Sequence, residues 1–260
     1  QGSTVLAYAA IEKAREMVGE NNVYFWAFSE NAEILNILKV LPKSNIYTIS
    51  NQGFLKTSVE IIKKIFIIRK QKISTSIDLE FFSRSSAILA YCIGAKQRVG
   101  YHRYQSEIVY RGNLMSHRIQ YNPYQHTSLA YLLLVTSLQY KPNIIPFPKI
   151  ELKSIQIQQP EIEINPKDVM YVKSIIDKQR KCEVIAPIII FNPNAGDAIP
   201  QRKRDSENFV LLSKKLVEHY RNNFCLIITG SHNEITHCDE LYNKIDLPNS
   251  INFAGKTNLH

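Results

Sequence analysis

Along the chain, short runs of β-branched and aromatic residues alternate with longer segments of helical period. This is the pattern of an α/β protein with a mostly parallel sheet. In the first half it predicts strands near 23–28, 46–49, 75–78 and 98–100, with helices over 5–18, 32–38 and 84–93. Residues 54–69 also predict a helix, with Leu55, Val59, Ile62 and Phe66 on one stripe and a Lys-rich remainder left for solvent or a membrane. From Pro142 to Pro166 the texture changes to prolines, glutamines and short Ile-polar alternation, which predicts a linker with room for an edge strand. A second α/β series follows: helix 166–179, strand 187–192, helix 207–220, strand 224–229, helix 234–245 and a short strand 250–253. The expected organisation is a first Rossmann-like lobe over 1–150, a linker over 151–165 and a second lobe over 166–260. Three strands are few for a complete Rossmann-like lobe, and the first helix has no strand feeding it, so both ends read as clipped.

At 260 residues and 45% hydrophobic, the chain can bury one large core or two ordinary ones, which excludes disordered and fibrous classes. Cys92, Cys182, Cys225 and Cys238 lie far apart without a CxxC pair, as expected in a reducing cytoplasm. The longest apolar run, 185–191, is too short to span a bilayer. The first ten residues have no positively charged start leading into an apolar core, so no signal peptide is predicted.

The net charge of +9 is not evenly spread. Residues 1–150 hold 18 Lys and Arg against 9 Asp and Glu, whereas residues 151–260 hold 14 of each. Between Arg84 and Arg118 the bases are Arg84, Lys96, Arg98, Arg103, Arg111 and Arg118, and Glu107 is the sole acid. Such a field favours an anionic partner, among them phosphorylated lipid, an anionic sugar, a membrane surface or nucleic acid, unless it is merely solvated surface.

Two stretches carry candidate chemistry. In IIIFNPNAGDAIPQRKRDSENF (188–209) an apolar strand enters a small-residue turn, then a basic loop, then a helix that Asp205 or Ser206 can cap. Free amides and the cations Arg202, Lys203 and Arg204 then surround a place where phosphate can sit, with Asn194 in the turn. In LIITGSHNE (226–234) a strand ends at Gly230 and places Ser231, His232 and Glu234 at a strand carboxyl end, where ligands bind in open α/β sheets. Glu234 there can accept hydrogen bonds from ribose hydroxyls or a base, although Gly-Ser-x-x-Glu is also an ordinary helix start.

The sequence NPNAG…RKRDSENF, followed by LIITGSHNE and INFAGKTNL, resembles the second lobe of glycosyltransferase family nine, whose best-known members are the lipopolysaccharide heptosyltransferases. In the first half, GSTVLA (2–7), IDL (77–79) with FSRSSA (82–87), AKQRVG (95–100), His117-Arg118 and His126 resemble the same family in order and spacing. The resemblance implies a GT-B fold: two Rossmann-like lobes facing a cleft, acceptor on the first, nucleotide sugar on the second. It implies an inverting transfer without a metal or other cofactor, from a nucleotide-diphosphate sugar, with ADP-heptose the candidate, to a lipopolysaccharide-type or other anionic glycan or glycolipid. Lys203 matches the lysine that contacts the donor phosphates and Glu234 the acid that holds the nucleoside; Asn194, Arg202 and Gly230 join them as donor-binding candidates. Arg84, Arg103, Arg111 and His126 are the acceptor-binding candidates. Such a protein is expected in the cytoplasm, peripheral on the inner face of the cytoplasmic membrane.

The chain departs from the family at two positions. Ser3 stands where the family has an acid taken as the general base, and a serine hydroxyl is no base near neutral pH. Arg204 stands where the family has a tryptophan. Asp78, at a strand end, is the alternative base, and capping the next helix is its competing role. The family's Asp-Thr-Gly-x-x-His segment would lie beyond His260, so this piece alone is expected to be inactive. Three other readings compete: a catalytically silent member that binds anionic glycolipid, a zinc cluster of Cys225, His232, His237 and Cys238, and nucleic-acid binding through Tyr101, Tyr104, Tyr110, Tyr121 and Tyr124. The zinc spacing matches no common site and no single-strand-binding motif accompanies the tyrosines, so neither metal nor nucleic acid is expected.

Overall fold

A computed structural model describes residues 2–50, 53–142, 160–180, 186–195 and 203–257. The chain divides into two compact units, Gln1–Ile162 and Glu163–His260. Most of the segment read as a linker lies outside the described residues.

The first unit runs α1 (Gly2–Leu6), α2 (Tyr8–Val18), β1 (Phe25–Phe28), α3 (Ser29–Leu38), β2 (Ile46–Ile49), α4 (Phe54–Lys70), β3 (Thr75–Ile77), α5 (Arg84–Cys92), β4 (Gln97–His102), β5 (His117–Gln120) and α6 (Thr127–Thr136). All strand pairs are parallel, β1 with β2 and, in a second sheet, β3-β4-β5. Helix α6 is the centre of this unit. Its Ala130, Tyr131, Leu132, Leu133, Leu134 and Val135 are all buried, meeting α2 and α3 residues on one side and Val99, Tyr101 and Ile119 of β4 and β5 on another. Burying a leucine such as Leu134 stabilises by about 1.5–3 kcal/mol. The polar end of Tyr101 is satisfied within this core, its hydroxyl donating to the Ala130 carbonyl at 2.7 Å.

Helix α4 forms as its periodicity predicts, but the stripe is turned the other way. Ile68 is buried, and Thr57, Ile61, Lys64 and Ile65 are half-buried, with Lys64 Nζ over the Tyr47 ring of β2 at 5.9 Å. Leu55, Val59, Ile62 and Phe66 instead lie on the exposed face.

The second unit runs α7 (Pro166–Gln179), β6 (Ile188–Phe191), α8 (Ser206–Tyr220), β7 (Cys225–Ile228), α9 (Ile235–Ile245) and β8 (Ser250–Asn252). Its sheet is parallel in the order β6-β7-β8. The central strand is buried at all four positions and splits them between two faces, as the two-residue period of a strand requires. Leu226 and Ile228 pack with Phe191, Phe224, Cys238 and Leu241; Cys225 and Ile227 pack with Ile176, Ile251 and Phe253. Asn165 caps α7, accepting from the Lys167 amide at 3.0 Å with Pro166 at the first helical position. Asp205 caps α8 through the Glu207 amide at 3.1 Å.

Candidate functional site

Parallel strands β6, β7 and β8 deliver the loops that follow them to one end of the second unit's sheet, where ligands of open α/β folds bind. Asn194 follows β6. Its side-chain nitrogen donates to Cys238 Sγ at 3.2 Å, and the Cys238 thiol donates to the Thr229 carbonyl at 3.7 Å. This relay fixes the orientation of the amide, and among the described residues Asn194 Oδ1 is buried without a hydrogen-bond partner. A buried acceptor left unpaired is uncommon in a folded protein.

Gly230 ends the β7 loop beside this amide. A Cβ at position 230 would stand 2.7 Å from Cys238 Sγ and 2.9 Å from Asn194 Nδ2, so the backbone passes where no side chain fits. The Gly255 amide, after β8, donates to the Gly230 carbonyl at 3.0 Å. Gly255 has φ +69°, and a Cβ there would stand 2.5 Å from Ile235 Cδ1. Gly230→Ala is therefore expected to displace Asn194 and raise the Kd of a site ligand about tenfold, with a stability cost of about 1–3 kcal/mol. Thermal melts and ligand titration of the same variant check both parts.

Glu234 performs the helix-start role that its spacing allowed. The Ser231 amide at 2.7 Å and hydroxyl at 2.8 Å both donate to its Oε2 in a capping box. Lys203 is exposed ahead of α8, and its charge reaches α9, holding the His237 imidazole and the Cys238 thiol lower than they would otherwise lie. Burial is the larger influence on both, pushing His237 down and Cys238 up. Among the described residues His237 Nε2 is also buried without a partner. Asn194, Lys203, Gly230 and Glu234 thus come together, and His237 joins them. From the sequence His237 is a candidate only for the zinc cluster; its position one helical turn after Glu234 is the signal that links it to this group. Arg202 lies outside the described residues.

The zinc reading fails on geometry, because Cys225 and Cys238 pack on opposite faces of the sheet. Among the described residues no group of His, Cys, Asp or Glu is arranged to hold a metal ion.

In the first unit the basic candidates separate. Arg84 and Arg103 are exposed, their Nε groups donating to the carbonyls of Tyr110 at 3.2 Å and Gln105 at 2.7 Å. His126 is the N-cap of α6, its Nδ1 2.7 Å from Ser128 Oγ. Arg111 corrects the expectation of a presented cation. It is buried and ion-paired with Asp78, with Nη2 also donating to Ser86 Oγ at 2.9 Å and Nε to the Ser83 carbonyl at 2.8 Å. Asp78 accepts in addition from Ser86 Oγ at 3.0 Å and the Glu80 amide at 3.1 Å. With these partners it is a structural carboxylate, closed off from an acceptor hydroxyl.

Ser3 is exposed on α1. Burial, then the negative charge of Glu80, push the Tyr131 phenol up, while the Ser3 hydroxyl pulls it down. Ser3 and Glu80 thus both act on the same phenol. Glu80 is exposed just past β3, and among the described residues its carboxylate has no hydrogen bond or ion pair.

No protein-family model and no curated protein sequence matches the chain. Solved structures do. ADP-heptose lps heptosyltransferase II of E. coli superposes with a TM-score of 0.63 at 15% identity, over 98% of this chain and 70% of the other. The glycosyl transferase family 9 protein of Veillonella parvula gives 0.69 at 13% identity, over 98% and 66%. E. coli heptosyltransferase WaaC with ADP-2-deoxy-2-fluoro heptose gives 0.58 at 10% identity, over 96% and 72%. The chain therefore spans about two thirds of the length of these transferases, and it carries their α/β fold through both of its units.

Proposed function

We propose that the protein is a glycosyltransferase that takes a nucleoside-diphosphate sugar, with ADP-heptose the candidate donor, and passes the sugar to an anionic glycan or glycolipid at the inner membrane surface. The observation that carries this reading is the grouping of the Asn194 amide, the exposed Lys203 and the Glu234 carboxylate at the carboxyl ends of the strands, in a fold shared with proteins solved with ADP and an ADP-heptose analogue. Each group answers a part of the donor. Asn194 Oδ1 accepts from a base amine or ribose hydroxyl, Glu234 accepts from ribose hydroxyls, and Lys203 faces the diphosphate.

The transfer forms a bond between the acceptor oxygen and the anomeric carbon as the bond from that carbon to the phosphate oxygen breaks. Attack from the face opposite the phosphate inverts the centre. The departing nucleoside diphosphate gains negative charge, which a fixed cation stabilises without a metal. The acceptor proton goes to a carboxylate, and we assign it to Glu80.

Calorimetric titration tests the donor site. Lys203→Ala is expected to weaken ADP binding about tenfold and leave adenosine almost unchanged, since a charge-assisted contact to phosphate is worth about 1.5–3 kcal/mol. Glu234→Ala is expected to weaken both ligands. Affinity for ADP and adenosine that is indifferent to both substitutions would overturn the assignment.

A further inference from the structure

From the exposed face of α4 we infer that this helix docks the protein on an anionic lipid bilayer, lying in the interface with its apolar stripe inserted. The inference rests on the glycolipid reading above for why a lipid surface would be visited, and on α4 alone for its physics.

The inward face of α4 is already occupied. Thr57 Oγ1 donates to the Ser50 carbonyl at 3.1 Å, the Ser50 amide and hydroxyl donate to Glu60 at 3.0 and 2.6 Å, and Lys64 covers the Tyr47 ring. What remains is a second apolar face of a single helix. Phe54 is 85% exposed and Leu55 78%, and Val59, Ile62, Phe66 and Ile67 are exposed as well. Leu55, Val59, Ile62 and Phe66 follow the i, i+4, i+7, i+11 spacing that places them in one line along three turns. Scattered exposed apolar residues are ordinary, but a continuous line of large ones marks an interaction surface.

Charge selects the occupant. The helix carries Lys56, Lys63, Lys64, Arg69 and Lys70 against Glu60, whose carboxylate is held by Ser50. Lys64 is turned to β2, and Arg69 packs its guanidinium against Gly94. Lys56, Lys63 and Lys70 recur every seven residues, so they form a row beside the stripe. At a bilayer surface their stems lie along the apolar zone while the ammonium groups reach anionic headgroups. A second copy docking by the same face would set this row against itself, at a cost in like-charge repulsion. No helix among the described residues is long and apolar enough to cross a membrane, so the contact is interfacial.

Flotation with vesicles of phosphatidylcholine alone, and of phosphatidylcholine mixed with phosphatidylglycerol, tests the inference. The protein is expected to float with the mixed vesicles and to lose that binding as salt is raised. Leu55→Asp with Phe66→Asp should lower the partition coefficient about tenfold or more. Lys56→Glu with Lys63→Glu and Lys70→Glu should lower it about a hundredfold. All five positions are exposed, so melting temperatures should be unchanged, and Phe66→Trp supplies a signal that does not depend on loss. Its indole emission should shift to the blue on mixed vesicles and be quenched by brominated acyl chains. Equal binding to both vesicle types, binding that survives both multiple variants, or an indole that stays in water would overturn the inference. So would a dimer in size-exclusion chromatography that Leu55→Asp with Phe66→Asp dissociates, since the stripe would then belong to a second copy. ADP affinity measured on the same preparations separates the two readings. Vesicle binding through α4 without ADP binding removes the donor site alone, and ADP binding without vesicle binding removes the docking face alone.

Discussion

Arg111→Met is expected to lower the unfolding free energy by about 3–5 kcal/mol at neutral pH, the cost of leaving a buried charge without its partner. The side chains of Arg111 and Asp78 are 2% and 4% exposed, so water cannot take over for the lost guanidinium. The pair also ties distant segments together. Arg111 donates to the Ser83 carbonyl at the start of α5 and to Ser86 within it, while Asp78 follows β3. The penalty should depend on pH in a definite direction. Burial already pushes the Asp78 carboxyl up against the pull of Arg111, the Glu80 amide and Ser86, and removing Arg111 removes the first of the opposing influences. A carboxyl raised in the folded state favours folding below its unfolded pKa, about 4. That contribution is lost as pH rises through the folded value. The difference between Arg111→Met and the parent should therefore be smallest near pH 4 and complete at pH 7. Removing both charges, as in Asp78→Leu with Arg111→Met, should recover most of the loss, because an apolar pair of similar volume needs no countercharge. Urea melts across this pH range measure the effect, and a penalty under about 1 kcal/mol at pH 7 would show that the pair contributes nothing beyond its packing.

Helices with one wet side were legible in the sequence because they alternate. The elements α2, α5, α7, α8 and α9 all appeared at nearly their observed bounds, and so did the strands that carry the second unit's loops. Helix α6 left no such trace. TSLAYLLLVT is buried around most of its circumference, so apolar residues fall on every face and no period emerges. Strand β5, HRIQ, is four residues long and polar at three of them, so it offers no apolar run, although its His117 is buried. Helix α4 shows the converse limit. Periodicity announces that a helix has an apolar stripe but not what covers it, and here the sheet takes the face with Thr57, Ile61, Lys64 and Ile65.

The candidate site divides in the same way. Local spacing was enough for the Ser231–Glu234 capping box and for a lysine ahead of a helix start. The orientation of the Asn194 amide required knowing that Cys238, 44 residues away, holds its nitrogen end. Between Arg84 and Arg118 a count of bases could not distinguish an exposed Arg103 from an Arg111 locked against Asp78. Glu80, the base proposed above, was hidden for a related reason. It lies 77 positions along the chain from Ser3, and only the fold sets both to act on the Tyr131 phenol.

Glu80→Gln is expected to lower kcat for sugar transfer by about 10²–10⁴-fold, the range for losing a general base, in a form of the protein that turns over. Three observations converge on this residue. Ser3 has no basicity of its own near neutral pH; Asp78 is buried with Arg111, Ser86 and the Glu80 amide; and Glu80 alone of these three presents an exposed carboxylate past the end of a strand. Glutamine keeps the size and most of the polarity of the side chain, so folding and ADP affinity should be unchanged. A base that acts only in the transition state lowers kcat and kcat/KM together, leaving KM nearly constant. A residue that merely positions the acceptor would raise KM instead. Ser3→Ala should be comparatively mild, since a serine hydroxyl is no base near neutral pH. Introducing Ser3→Asp into the Glu80→Gln background should restore part of the lost turnover, because it puts a carboxylate where the sequence resemblance implies the acid. Full activity of Glu80→Gln with a measured donor and acceptor would remove Glu80 from the chemistry.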